Sequence, residues 1–236
     1  LGLKARYILE ETGRNTAPAI YFAALASEPD DALLVMPSDH WIEDTKAFAA
    51  KAGAGEAVAS DGGWVTFGIT PDAPATGYGY INATGGGDVL EVQSFTEKPD
   101  PATAQSYLDA GGYFWNSGIF MVTARTCLQS FHALQPDLCN LADACWRARI
   151  VQNDEIVLPR THLQTVPSIS VDHAIMEQHG NIALLPFTGI WSDVGSWEVV
   201  WETSKKDVEG NCTQGKVVLE NTKNSYIRSE NRLIVG

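Results

Sequence analysis

Apolar and polar positions alternate along the chain between a helical period and a strand period. Residues 14–27, RNTAPAIYFAALAS, read as a helix, with Asn15 or Thr16 as its cap and Pro18 in its first turn. Residues 32–36, ALLVM, form a short continuous apolar run, the pattern of a strand covered on both faces. Residues 45–59 are helical in composition, weakened by Gly53 and Gly55. Residues 64–69, WVTFGI, alternate as a strand does, and the Pro/Gly-rich stretch 70–81 is a loop entering another strand. Residues 89–98 read as a long strand. Residues 100–112 read as a helix capped by Asp100, begun by Pro101 and stopped by Gly111. A strand over 113–122 follows, then helices around 123–133 and 137–148. Residues 168–180 read as a helix with Gly180 past its end, 181–187 as a strand, and 196–204 as a closing helix.

From about residue 206 the helical period disappears, and 210–236 is a series of short β segments between Asn and Gly turns. The expected organisation is therefore a domain over 1–205 and a C-terminal β extension over 206–236. Strands alternating with helices argue an α/β fold with a mixed, mostly parallel sheet and helices on both faces. Ligands gather at the carboxyl ends of strands in such sheets. Asp39 follows the 32–36 run at that end, so a ligand-binding carboxylate there is one reading and an Asx turn or helix cap is the other.

Composition narrows the function. The 236 residues carry a formal net charge of −13, with 44% hydrophobic and 19% charged residues. A duplex-binding surface needs a basic excess, so nucleic acid is excluded as a partner. Phosphorylated small molecules stay open, because a few cationic side chains and a divalent cation can neutralise them locally. Cys127, Cys139, Cys145 and Cys212 form no C-x-x-C pair and have no His at zinc-ligand spacing. They read as reduced thiols and favour a cytoplasmic location. No apolar run approaches the ~18 residues of a membrane span, and no signal peptide is visible.

Several polar residues stand where structure and chemistry compete. Asp193 in WSDVGS suits a metal or caps the helix that begins near Ser196. Glu97 and Lys98 could be an exposed pair at a strand end stopped by Pro99. Asn116 lies inside an aromatic, apolar strand and needs partners if buried. Gly79 suits a bulge or the close approach of a ligand.

Five segments occur in one order: ETGRNTAPA (11–19), MPSDH (36–40), TGYGYI (76–81), FTEKP (95–99) with FWNSGIF (114–120), and WSDVGSW (191–197). In this the chain resembles the sugar-phosphate nucleotidyltransferase family, in its mannose-1-phosphate guanylyltransferase branch, whose bacterial members are often fused to a mannose-6-phosphate isomerase domain. The resemblance implies a Rossmann-like nucleotidyltransferase fold. It also implies a Mg²⁺-dependent reaction of GTP with mannose 1-phosphate that yields GDP-mannose and pyrophosphate. Asp39 and Asp193 would hold the metal, and Lys98 the sugar phosphate. Glu97, Asn116, Gly79 and Tyr80 would meet the sugar, with Asp172 packed beside them. Arg14, Asn15, Thr16, Pro37 and Ser38 would lie along the nucleotide. Self-association into a homo-oligomer is left open.

One family motif has no counterpart here. The Gly-rich G-G-x-G-x-R loop followed by P-K, which cradles the triphosphate, is not found before RYILEETGRNTAP, and the first strand of the nucleotide half is missing with it. The expectation is a longer natural protein at this end, with this chain weakly active or inactive by itself. Two alternatives share the resemblance: a transferase for another sugar or base, and a regulatory paralogue that binds a nucleotide sugar without turning it over.

Overall fold

The computed structural model describes residues 4–236. Two compact units emerge, one formed by residues up to Pro37 together with Asp44–Gly189, the other by Ser38–Glu43 together with Ile190–Gly236. The boundary expected at 205/206 falls inside the second unit, and a short internal segment leaves the first unit to join it.

The first unit holds strands β1 (Tyr7–Glu10) and β2 (Ala32–Val35) with helix α1 (Thr16–Leu25) between them. The second unit's β3 (Trp41–Ile42) comes next. The first unit then resumes with α2 (Thr45–Ser60), β4 (Trp64–Ile69), β5 (Tyr80–Thr84), β6 (Leu90–Thr96), α3 (Pro101–Ala110) and β7 (Tyr113–Thr123). Helices α4 (Ala124–Leu134) and α5 (Pro136–Arg147), strands β8 (Ile150–Gln152) and β9 (Glu155–Leu158), the short α6 (Arg160–Leu163) and β10 (Ile182–Phe187) complete it.

Its main sheet runs β2-β7-β4-β10-β6-β5, with β5 also pairing to β7. The sheet is mixed, as expected, but "mostly parallel" does not describe its ladders. Strands β6 and β7 run against the others and sit between them, so β4–β10 is the sheet's parallel ladder. A smaller sheet sets β1 parallel to β9, with β8 antiparallel on the other side of β9. The core joins α1, α4 and α5 to the sheet through Tyr21, Phe22, Phe131, Leu138 and Trp64, all fully or almost fully buried.

Local chemistry explains most boundaries. Asp100 accepts hydrogen bonds from the Ala102 and Thr103 amides, Pro101 opens α3, and Gly111 closes it at φ 69°. Asn15 caps α1. The helix expected over 168–180 is the main correction, for only a π-helical turn, Asp172–Met176, forms there. Residues 168–170 stay non-helical, and the chain entering the turn is fastened to α1. The Ile169 carbonyl accepts from the Ala17 amide at 3.1 Å, and the Val171 amide donates to Thr16 Oγ1 at 2.9 Å. Tertiary hydrogen bonds thus override the local helix pattern.

The second unit pairs β3 with β11 (Trp191–Ser192) and adds α7 (Trp197–Thr203). Beyond it lie β12 (Cys212–Gln214), β13 (Val217–Val218), β14 (Tyr226–Arg228) and β15 (Ile234–Val235), paired in parallel as β12–β14 and β13–β15. All four cysteines are free, and three of them are buried. Among the described residues no helix is long and apolar enough to cross a membrane.

Candidate active site

In the first unit the structure brings together the residues expected to meet a sugar phosphate. Strand β7 carries Asn116 opposite Gly68, where the ladder to β4 breaks register. A bulge of this kind re-aims a side chain out of the regular pleat. The Asn116 amide side chain then makes two bonds: Nδ2 donates to Asp172 Oδ1 at 2.8 Å, and Oδ1 accepts from the Gly118 amide at 3.1 Å. Its backbone amide donates to the Gly79 carbonyl at 2.8 Å. Gly79 is buried with no room to spare. A methyl group there would sit 2.7 Å from Glu97 Oε2 and 3.0 Å from the Phe95 ring. Glu97 lies 3.1 Å from Lys98 Nζ, the lysine mostly exposed and the carboxylate mostly covered. Gly79, Glu97, Lys98, Asn116 and Asp172 therefore form one connected cluster.

Burial pushes the Asp172 carboxyl above its ordinary range, and the nearby Glu97 charge adds to the shift, while the Asn116 amide opposes it. Asp172 opens the π-helical turn, a geometry that recurs at functional sites. The Tyr80 side chain is fully buried and packs against Tyr107 with ring centroids 5.5 Å apart, which leaves its backbone as the part that could meet a sugar.

The segment expected to follow a nucleotide has structural duties. Arg14 Nε donates to the Val166 carbonyl at 2.6 Å, Asn15 Oδ1 accepts from the Thr16 amide, and Thr16 Oγ1 holds the Val171 amide. These bonds fasten the start of α1 to the strap that leads into Asp172. Pro37 ends one stretch of the first unit, and Ser38 opens the segment that belongs to the second.

The metal candidates both lie in the second unit. The antiparallel pairing of Trp41 with Ser192 puts Asp39, two residues before Trp41, and Asp193, one after Ser192, at the same end of the ribbon. The His40 ring packs edge-on against Trp191 at 5.2 Å between centroids, and the Glu43 amide donates to the Ile190 carbonyl at 3.1 Å. Asp193 Oδ1 accepts from the Gly195 amide at 3.2 Å, and it is Ser196, not Asp193, that caps α7. Among the described residues there is no cluster of three or more His, Cys, Asp or Glu that could cage a metal. Two carboxylates nonetheless fit Mg²⁺, which takes one or two carboxylates and completes its shell with water and substrate phosphates.

Residues 1–210 match the family described as Nucleotidyl transferase. The chain belongs to the nucleotidyl transferase family. It is 42% identical over 230 residues to Xanthan biosynthesis protein XanB of Xanthomonas campestris pv. campestris (strain B100), covering 96% of this chain and 49% of the relative. It is 41% identical over 246 residues to mannose-1-phosphate guanylyltransferase of Escherichia coli (strain K12), covering 98% of this chain and 51% of that one. The chain thus spans about half the length of the curated relatives it matches. The crystal structure of mannose-1-phosphate geranyltransferase from Thermus thermophilus superimposes with a TM-score of 0.81 at 26% identity, over 96% of this chain and 66% of the other. Nucleotidyl transferase membership accords with the mixed α/β architecture.

Sequence reasoning missed two residues beside these sites. Phe95 crowds Gly79 together with Glu97, its ring 3.0 Å from where a methyl group would stand, and its place in FTEKP could have suggested this. Val194 stands at φ 50°, a conformation that a β-branched residue rarely adopts, and no feature of the sequence announces it.

Proposed function

We propose that this chain supplies the nucleotidyltransferase part of an enzyme that joins GTP and mannose 1-phosphate into GDP-mannose and pyrophosphate. A phosphate oxygen of the sugar phosphate attacks the α-phosphorus of GTP. The new P–O bond forms as the bond to the β-phosphate oxygen breaks, and pyrophosphate leaves with that electron pair. Such a reaction needs positioning and charge neutralisation more than covalent chemistry from the protein.

The observation that carries the reading is the connected cluster of Gly79, Glu97, Lys98, Asn116 and Asp172, in a chain 41% identical to a protein named mannose-1-phosphate guanylyltransferase. Lys98 is the cation for the sugar phosphate, and its ammonium counters the charge gathered during attack. Glu97 and the Asn116 amide take the sugar hydroxyls. Asp172 holds Asn116 in orientation. Asp39 and Asp193 hold the divalent cation, whose chemistry is neutralisation of phosphate charge. Arg14, Asn15 and Thr16 set the start of α1 near the nucleotide. The reaction belongs to metabolism in the cytoplasm.

The test uses the full-length protein and pyrophosphate release. Lys98→Ala raises KM for mannose 1-phosphate and lowers kcat, by about 10²-fold or more in kcat/KM. Asp39→Ala removes the Mg²⁺ dependence together with activity. If Asp39→Ala leaves release and its Mg²⁺ dependence unchanged, the metal assignment is wrong. If uridine, adenosine or thymidine triphosphates serve as well as GTP, the guanylyl assignment is wrong.

A further inference from the structure

Among the described residues, six that are not glycine have positive φ: Asn15, Lys98, Asn153, Val194, Asn221 and Asn224. Four are asparagine, the side chain that tolerates this region best. The other two flank candidate site carboxylates: Lys98 follows Glu97, and Val194 follows Asp193. Valine is the harder case, because its branched Cβ crowds the backbone in the left-handed region. Turns elsewhere in the second unit use Asn221, Asn224, Gly210 and Gly215 for this conformation. In the 191–197 segment a glycine is present, but at 195, one place beyond the left-handed position.

The surroundings hold Val194 there. Its amide donates to Ser192 Oγ at 2.9 Å, and Ser192 is buried and fixed in the ladder to Trp41. The next amide, from Gly195, donates to Asp193 Oδ1 at 3.2 Å. Asp193 thus sits between two pinned peptides, with one carboxylate oxygen committed to the turn. The turn therefore keeps the shape that these bonds impose, against the backbone preference of the branched side chain at 194.

We propose that Val194 is a positioning residue, whose strained left-handed backbone aims the Asp193 carboxylate for its cation. This rests on the reading of Asp193 as a metal ligand. Asparagine would adopt this conformation with less strain, so valine at this place holds the turn beside Asp193 at a cost in stability.

The experiment compares the full-length protein with V194G, V194N and D193N. The probe is Mn²⁺ alone, followed by the loss of its free-ion EPR signal, with thermal melting in parallel. Glycine keeps the left-handed option but frees the turn, so V194G is expected to bind Mn²⁺ about tenfold more weakly with an equal or higher Tm. V194N accepts the conformation with less freedom, so its Mn²⁺ affinity falls between V194G and the parent, again with no loss of Tm. D193N is expected to bind least. If D193N loses Mn²⁺ while V194G binds like the parent, Val194 has no positioning role and the metal reading survives. If D193N also binds like the parent, the metal reading itself fails and takes this proposal with it. If V194G and V194N lose Tm together with affinity, Val194 serves the fold and the proposal is overturned.

Discussion

At the scale of single residues, the cluster in the first unit depends on what is absent at position 79. The Glu97 carboxylate and the Phe95 ring occupy the space that a side chain would need, at 2.7 and 3.0 Å from where its first carbon would stand. Of the two, the Glu97 carboxylate is the end of a flexible side chain and is the group that gives way. Glu97 is mostly covered and paired with Lys98, and Phe95 packs on the core. Gly79→Ala should therefore leave secondary structure intact and displace Glu97. The expected result is a KM for mannose 1-phosphate raised about tenfold or more, the effect of a roughly 1 Å misplacement being of order 10²-fold, with KM for GTP near its parent value. Steady-state kinetics in both substrates checks this. An equal rise in both KM values would mean that Gly79 serves the whole fold and not the sugar side.

At the scale of elements, the strap between α1 and the π-helical turn links the RNTAP segment to Asp172. Thr16 Oγ1 is the acceptor for the Val171 amide, and Val171 is almost wholly buried. Thr16→Val keeps the shape and removes the acceptor, leaving a buried amide unsatisfied. The expected loss is about 1–3 kcal/mol, read by urea denaturation. Asp172 should loosen too, seen as weaker sugar-phosphate binding; unchanged stability would mean that the strap is held by its other bonds. This link also shows why some elements could be read in the sequence and others could not. Helix α3 was legible at both ends because Asp100, Pro101 and Gly111 act through local geometry. Strand β4 formed at Trp64–Ile69 as read, but all six of its residues are buried, so the expected alternation is absent. The supposed helix over 168–180 failed because Thr16 and Ala17, distant in sequence, take its first backbone groups. Strand β1 went unread because its partner β9 lies far along the chain, and no local pattern encodes that pairing. The same holds for the site: five motifs in order pointed to Asp39 and Asp193, but only the β3–β11 ribbon places them at one end. The left-handed turn at Val194 depends on the buried Ser192 hydroxyl and was invisible in the sequence.

At the scale of the whole molecule, two pH effects oppose each other. The chain carries a net charge of −13, so mild acid should relieve self-repulsion as carboxylates take up protons. His179 acts the other way. Burial holds its imidazole below the ordinary value of 6.5. Its Nδ1 accepts from the Asn181 amide at 3.1 Å, which leaves Nε2 as the protonated nitrogen, 3.0 Å from Ser130 Oγ. Ser130 in turn donates to the Thr126 carbonyl and accepts from the Trp64 indole. The neutral ring thus ties α4 to the start of β4 and to the chain entering β10. With the folded pKa below the unfolded one, this stabilisation is complete above about pH 6.5. It is lost as pH falls toward the folded pKa, because the unfolded histidine binds its proton first. His179→Gln should therefore melt below the parent at pH 7.5, and the gap in Tm should narrow steadily by pH 5.5. Comparing the two proteins cancels the general charge effect, which both share. A gap that stays constant with pH would mean that the network contributes through packing alone and that His179 is not neutral for the reason given.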